Sequence, residues 1–181
     1  MKTKTVLLGV TGSIAAYKAA DIANNLTKAG YAVRAIMTKA ATEFITPLTL
    51  RTLTKSKVYT DMFEPAPYED VRHISLARQA DLCLLAPATA NIIGKLAAGI
   101  ADDMLSTVLM ALRGVPVLIC PAMNTAMYEN PITQGNIEKL AALGYRFIEP
   151  RESLLACGDL GRGALADVET IMAEVVALLE A

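Results

Sequence analysis

A chain of 181 residues, 54% hydrophobic and 19% charged, is long enough for one domain with a substantial core. Its formal net charge of -1, with no Lys/Arg cluster, leaves no electrostatic footprint for nucleic acid or an anionic membrane surface. Cys83, Cys120 and Cys157 lie far apart without a Cys-x-x-Cys pair and His73 is the single histidine, which excludes a disulfide framework or a zinc site and predicts a cytoplasmic protein.

The start is basic and then apolar, but Val6 to Val10 is too short for a signal peptide and gives way to Thr11-Gly12-Ser13, so a buried strand is predicted near 5–10. A helix over 14–29 should end at Gly30, and a second strand near 31–37 should end at Met37-Thr38-Lys39. An amphipathic helix is expected over 43–53 and an irregular stretch over 64–68. A short helix carrying His73 follows, with Asp70 as its cap. Further strands are predicted near 81–86, 115–120 and 145–148, with a helix over 132–143 that stops at Gly144. Residues 150–166 read as a glycine-rich irregular loop, and 168–179 as a final helix capped by Asp167. Strands alternating with helices predict an α/β fold, a doubly wound parallel sheet, as one domain over 1–181. No run is long enough to span a membrane. The apolar composition predicts a homo-oligomer that buries part of its surface between subunits.

The turn Gly9-Val10-Thr11-Gly12-Ser13-Ile14 puts backbone amides and a hydroxyl at a helix N-terminus, where a phosphate binds. It departs from the Gly-x-Gly-x-x-Gly dinucleotide pattern, and the second strand ends without the acidic residue that would hold a ribose. Thr38 and Lys39 there suit a further phosphate contact, so a mononucleotide such as FMN is favoured over NAD; an ordinary tight turn is the alternative. After the third predicted strand, Ala86-Pro87-Ala88-Thr89-Ala90-Asn91 would let a flat ring approach the backbone, with Thr89 and Asn91 bonding its polar edge, although small residues also serve close helix-sheet packing.

The octapeptide Pro121-Ala122-Met123-Asn124-Thr125-Ala126-Met127-Tyr128 begins just outside a strand's carboxyl end, where open α/β sheets place ligands. Asn124 offers an oriented amide and Met123 and Met127 adaptable apolar walls; spacing alone leaves open whether Asn124 only caps the next segment. His73, at a helix N-terminus that disfavours added positive charge, would be a neutral base, or else a packed or surface histidine. Cys83 and Cys120 fall in apolar strands and read as core. Cys157, in the loop Ala156-Cys157-Gly158-Asp159, can be exposed and move over a site.

Taken together, Gly9-Val10-Thr11-Gly12-Ser13-Ile14-Ala15, His73, Ala86-Pro87-Ala88-Thr89-Ala90-Asn91, Pro121-Ala122-Met123-Asn124 with Met127, and Ala156-Cys157-Gly158-Asp159 resemble the homo-oligomeric flavin-containing Cys decarboxylases. The motifs span about residues 6 to 167 in family order. Two positions depart: Tyr128 stands where relatives often have Trp, and Gly163-Ala164-Leu165 where fused bifunctional relatives tend to carry Gly-Arg-Met. The resemblance implies a Rossmann-like flavoprotein that uses FMN to convert phosphopantothenoylcysteine to 4'-phosphopantetheine and CO2 in coenzyme A biosynthesis, by way of thioaldehyde and aminoenethiol intermediates. It further implies that the preceding cysteine-coupling step belongs to another protein. Position by position, it makes His73 the base, Asn124 the carboxylate holder and Cys157 the proton donor of the final reduction. It assigns Gly12, Ser13, Ile14 and Thr38 to the FMN phosphate, Thr89, Asn91 and Ala122 to the ring system, and Met127 and Ala156, with Asn124, to the substrate. It also implies a trimer, or a multiple of trimers, with the flavin site between subunits. A peptidyl-cysteine decarboxylase, a flavin prenyltransferase and a non-catalytic flavin-binding regulator are the competing readings, and Cys157 in its loop argues against the first.

Overall fold

The frame is a sheet of six strands, β1 (Thr5–Val10), β2 (Ala32–Met37), β3 (Val58–Tyr59), β4 (Leu82–Ala88), β5 (Val117–Pro121) and β6 (Arg146–Phe147), in the order β3-β2-β1-β4-β5-β6. Every pairing in it is parallel. The computed structural model describes residues 3–64, 71–154, 158 and 160–180. Successive side chains on a strand point to opposite faces, and here both faces are buried. Val6, Leu8 and Val10 join Leu82 and Leu84 on the side covered by α1 (Lys18–Lys28) and α8 (Val168–Glu180), through Ile22, Leu26, Ile171 and Val175. Leu7, Ile36, Leu85 and Ile119 face the other side, under α3 (Arg72–Gln79), α4 (Ala90–Ala98), α5 (Met104–Ala111) and α7 (Pro131–Ala142). Burying one such aliphatic side chain stabilises by roughly 1.5–3 kcal/mol, so the central strands, apolar on both faces, anchor the fold. Gly9 points to the second side, where an added Cβ would run into Leu85 and Leu105; the glycine lets α5 press close to the end of β1.

This is the predicted doubly wound, Rossmann-like α/β architecture, with differences of detail. The segment after β1 opens with a 3-10 turn (Ile14–Tyr17) before α1, because the Ser13 hydroxyl accepts from the Ala15 amide and tightens the chain. The helix expected over 43–53 is instead a 3-10 turn (Ala41–Glu43) followed by α2 (Pro47–Thr54): proline holds the residue before it extended and starts a helix well. β3, of two residues, carries too little pattern to be read in advance. The clearest correction concerns 150–166, expected to be irregular. It contains an antiparallel hairpin, β7 (Arg151–Leu154) with β8 (Leu160–Ala164). Gly161 and Gly163 and the largely exposed arms erase the apolar alternation that marks a strand. Asp70, expected to cap the His73 helix, lies outside the described residues. Among the described residues no helix is long and apolar enough to cross a membrane, and no group of three His, Cys, Asp or Glu could hold a metal ion.

Candidate functional site

Strand order reverses between β1 and β4, and at such a point the connections leave in opposite directions and open a crevice beyond the carboxyl ends. A cleft of about 520 Å³ lies there. Its floor comes from three strand ends: Gly12, Ser13, Ile14 and Lys18 after β1, Thr89 after β4, and Ala122, Met123, Asn124 and Met127 after β5. The hairpin closes the far side with Arg151, Ser153, Leu154, Gly163 and Ala164.

Hydrogen bonds tie these segments together in series. The buried Thr11 hydroxyl donates to the Pro87 carbonyl at 2.8 Å and accepts from the Thr89 amide at 3.0 Å. The Ala122 amide donates to the Ala88 carbonyl at 3.0 Å, and the Met123 amide to the Gly163 carbonyl at 2.9 Å. Gly12 abuts Ala40 so closely that an added Cβ would collide with it, which brings the turn after β2 against the turn after β1. Asn124 is the N-cap of the short α6 (Thr125–Tyr128), its Oδ1 accepting from the Ala126 amide at 2.8 Å. Thr89 caps α4 in the same way, more loosely, at 3.4 Å to the Ile92 amide.

Lys18 and Arg151 bring cations to the cleft, and among the described residues no carboxylate lines it. An anionic ligand is therefore favoured. Arg151 is itself held, its Nε donating to the Leu165 carbonyl at 3.0 Å and its Nη1 lying 3.3 Å from the Asp167 carboxylate. Behind the floor, the Tyr128 hydroxyl donates to Glu149 at 2.9 Å; burial and the Glu149 carboxylate push the phenol up to about 12. The Cys83 thiol, near the start of β4, is pushed up to about 12 by burial alone, and that of Cys120 is raised for the same reason, as expected of core cysteines.

Of the residues singled out from sequence, Gly12, Ser13, Ile14, Thr89, Ala122, Asn124 and Met127 converge on this cleft. Asn124 does cap the next helix, and it does so while lining the site. Thr38 stands beside the lining at the end of β2, with its hydroxyl accepting from the Ala41 amide at 3.2 Å. Asn91 falls instead in an adjoining cavity of about 470 Å³, which shares Met127 with the cleft. His73 lies in the first turn of α3 and lines neither cavity. Ala156 and Cys157 lie outside the described residues, between hairpin arms that do line the cleft. Thr11, Lys18 and Arg151 were not singled out. A cation in the first helical turn after a glycine turn was a legible sign for Lys18; nothing local pointed to Arg151.

The apolar walls, the glycine pressed against Ala40 and the capped turns fit a planar, phosphate-bearing group, and the cleft volume is in the range usual for small-molecule sites. Fold and site thus define a doubly wound protein that holds such a group at its switch point. The Flavoprotein family model matches residues 1–180, and the chain belongs to that family. It is 54% identical over 174 residues to a probable phosphopantothenoylcysteine decarboxylase of Streptococcus mutans, covering 96% of this chain and 97% of that protein. It is 49% identical to the coenzyme A biosynthesis bifunctional protein CoaBC of Bacillus subtilis, covering 95% of this chain but only 42% of the longer relative. Among solved structures, a PPC decarboxylase in a cysteine-to-serine mutant form, complexed with pantothenoylaminoethenethiol, superposes with a TM-score of 0.92 at 35% identity, covering 99% of this chain and 100% of that one. The FMN binding protein AtHal3 gives 0.88 at 35% identity, covering 99% and 98%.

Proposed function

We propose that this chain, a single flavin-binding domain over 1–181, uses FMN to decarboxylate phosphopantothenoylcysteine to 4'-phosphopantetheine and CO2, a step of coenzyme A biosynthesis, in the cytoplasm. The observation that carries the reading is the convergence of Gly12-Ser13-Ile14, Thr89, Ala122, Asn124 and Met127 from three separate strand ends on one cleft. The names of the Streptococcus mutans relative and of the PPC decarboxylase neighbour support the substrate.

Bound FMN supplies a reversible acceptor for hydride. The chain's own residues hold the ligands and move protons. Gly12, Ser13 and Ile14, with Thr38 alongside, would hold the phosphate through backbone amides and hydroxyls; Thr89 and Ala122 would lie against the ring, and Asn91 would reach it only from the adjoining cavity. Asn124, its side-chain oxygen engaged by Ala126, has an amide nitrogen as its donor, the kind of group a substrate carboxylate requires. Met127 and Ala156 would pack along the substrate, whose phosphate finds a cleft lined by Lys18 and Arg151. His73 would take the proton at the substrate thiol, and Cys157 would give one back once CO2 has left. An aminoethenethiol in the cysteine-to-serine neighbour agrees with a cysteine that acts after carbon dioxide is lost.

Because His73 lies outside its own chain's cleft, the reading includes a homo-oligomer, a trimer or a multiple of trimers, in which one copy brings His73 to the cleft of the next. Ile14, Met127 and Leu154, at the cleft, are 60%, 49% and 70% exposed, apolar surface that a second copy would cover.

The test is to purify the protein, record its visible spectrum, titrate apoprotein with FMN, and follow phosphopantothenoylcysteine by mass spectrometry. Flavin bands with loss of CO2 are expected; absence of both FMN binding and CO2 release overturns the reading. Cys157→Ser should still release CO2 but yield a product two hydrogens short of 4'-phosphopantetheine. Normal product at an undiminished rate removes Cys157 from the reaction, whereas a product two hydrogens short from the wild type itself would favour the peptidyl-cysteine alternative.

A further inference from the structure

Thr11 is 2% exposed, one of four buried polar side chains among the described residues, with Thr54, Ser106 and Thr133. Two of those serve their own helices: Thr54 donates to the Leu50 carbonyl, and Ser106 closes the capping box of α5. Thr11 reaches across the sheet instead. Its hydroxyl donates to the Pro87 carbonyl, 76 residues on, and accepts from the Thr89 amide, 78 residues on. One side of this bridge continues into Gly12 and Ser13, the other into Thr89, and all three line the cleft.

We propose that Thr11 is a positioning residue for the cofactor, its hydroxyl setting the distance between the phosphate turn after β1 and the start of α4. The inference rests on the FMN reading above and assigns that site a residue it does not otherwise use. The hydroxyl fills both of its roles here. The Pro87 carbonyl also accepts from the Thr11 amide, at 3.3 Å, so loss of the hydroxyl leaves that carbonyl a partner but strips the Thr89 amide of its own. A half-buried amide that loses its partner turns toward another, water included, and Thr89 would move with it. Valine at position 11 keeps the shape and removes the bridge; serine keeps the bridge and loses a methyl group.

The experiment titrates FMN into apoprotein of the wild type, Thr11→Val and Thr11→Ser, by quenching of flavin fluorescence. Each protein is first shown to be folded by circular dichroism and held below its melting transition. Serine should bind as the wild type does, whereas valine should raise the Kd about tenfold, the ratio that one hydrogen bond of roughly 1.4 kcal/mol sets. A merely structural threonine would lower the melting temperature and leave the Kd of the folded protein unchanged. That outcome overturns the inference while leaving the FMN reading intact. If the wild type binds no FMN, the reading and the inference fall together. Should Thr11→Val not fold, Thr11→Cys replaces it, a side chain of serine's size with a weak donor: a raised Kd for cysteine but not serine supports the bridge, and equal values overturn it.

Discussion

The floor and the cover of the cleft are built on different physics. The floor is the end of a sheet whose strands are buried on both faces, and hydrogen bonds from Thr11 and Ala122 link one segment to the next. The cover is a two-stranded hairpin with Leu154 and Leu160 70% and 73% exposed. The Met123 amide, the close approach of its glycines and the Arg151 clasp hold it to the rest. A floor of this kind opens only with the whole fold, whereas such a cover can lift on its own. Chemistry that must exclude water and still exchange substrate needs both.

The sharpest break is on the floor. If Asn124 holds the substrate carboxylate as proposed, Asn124→Asp should lower CO2 release by about a hundredfold or more, since it puts a charge in place of the donor there. Aspartate caps a helix as well as asparagine does, so the protein should still fold and bind FMN. Near-normal turnover would show that Asn124 is a cap and nothing more.

On the cover, Gly163→Ala should act next most strongly. The added Cβ would collide with the Met123 backbone carbonyl, and overpacking of that kind costs about 1–3 kcal/mol. A roughly tenfold faster cut by limited proteolysis between the hairpin arms, with FMN still bound, is the expected reading. Gly161→Ala should do less, because its Cβ would meet the Thr125 side chain, which can rotate. Equal effects at the two glycines would mean that the hairpin does not rest on the floor as described.

Arg151→Ala loosens the hairpin at its base. The ion pair with Asp167 is 41% and 58% exposed and contributes little, so the loss should come chiefly from the bond to the Leu165 carbonyl, about 1 kcal/mol. Thermal unfolding in low and high salt separates the two: a loss that vanishes in high salt would reverse the assignment.

The smallest effect joins floor to cover through Tyr128 and Glu149. Because the folded phenol titrates near 12 rather than the usual 10, its contribution is complete below pH 10 and is lost as pH rises toward 12. Tyr128→Phe should flatten that part of the stability curve in denaturant titrations at successive pH values. An unchanged slope would indicate that the buried thiols dominate alkaline unfolding.

What the sequence determined by itself was the floor. Val6 to Val10, Leu82 to Ala86 and Val117 to Cys120 are apolar on both faces, so they had to lie inside a parallel sheet, and the turns that follow them carry Gly12, Ser13, Thr89 and Asn124 wherever the sheet goes. Local spacing and burial settle such elements. The hairpin and the two-residue β3 were decided in three dimensions, because their pairing partners and glycine contacts leave little periodic trace; the break before Pro47 was local, written in the proline itself. Asn91 looked equivalent to Thr89 in the sequence, yet the turn of α4 sends it to a neighbouring cavity. His73 was legible as a chemical group but not as a member of the cleft: proximity between side chains on different elements is set by packing, which no local pattern encodes. The same holds for Arg151, which becomes part of the site only because Gly163 lets the hairpin settle against Met123.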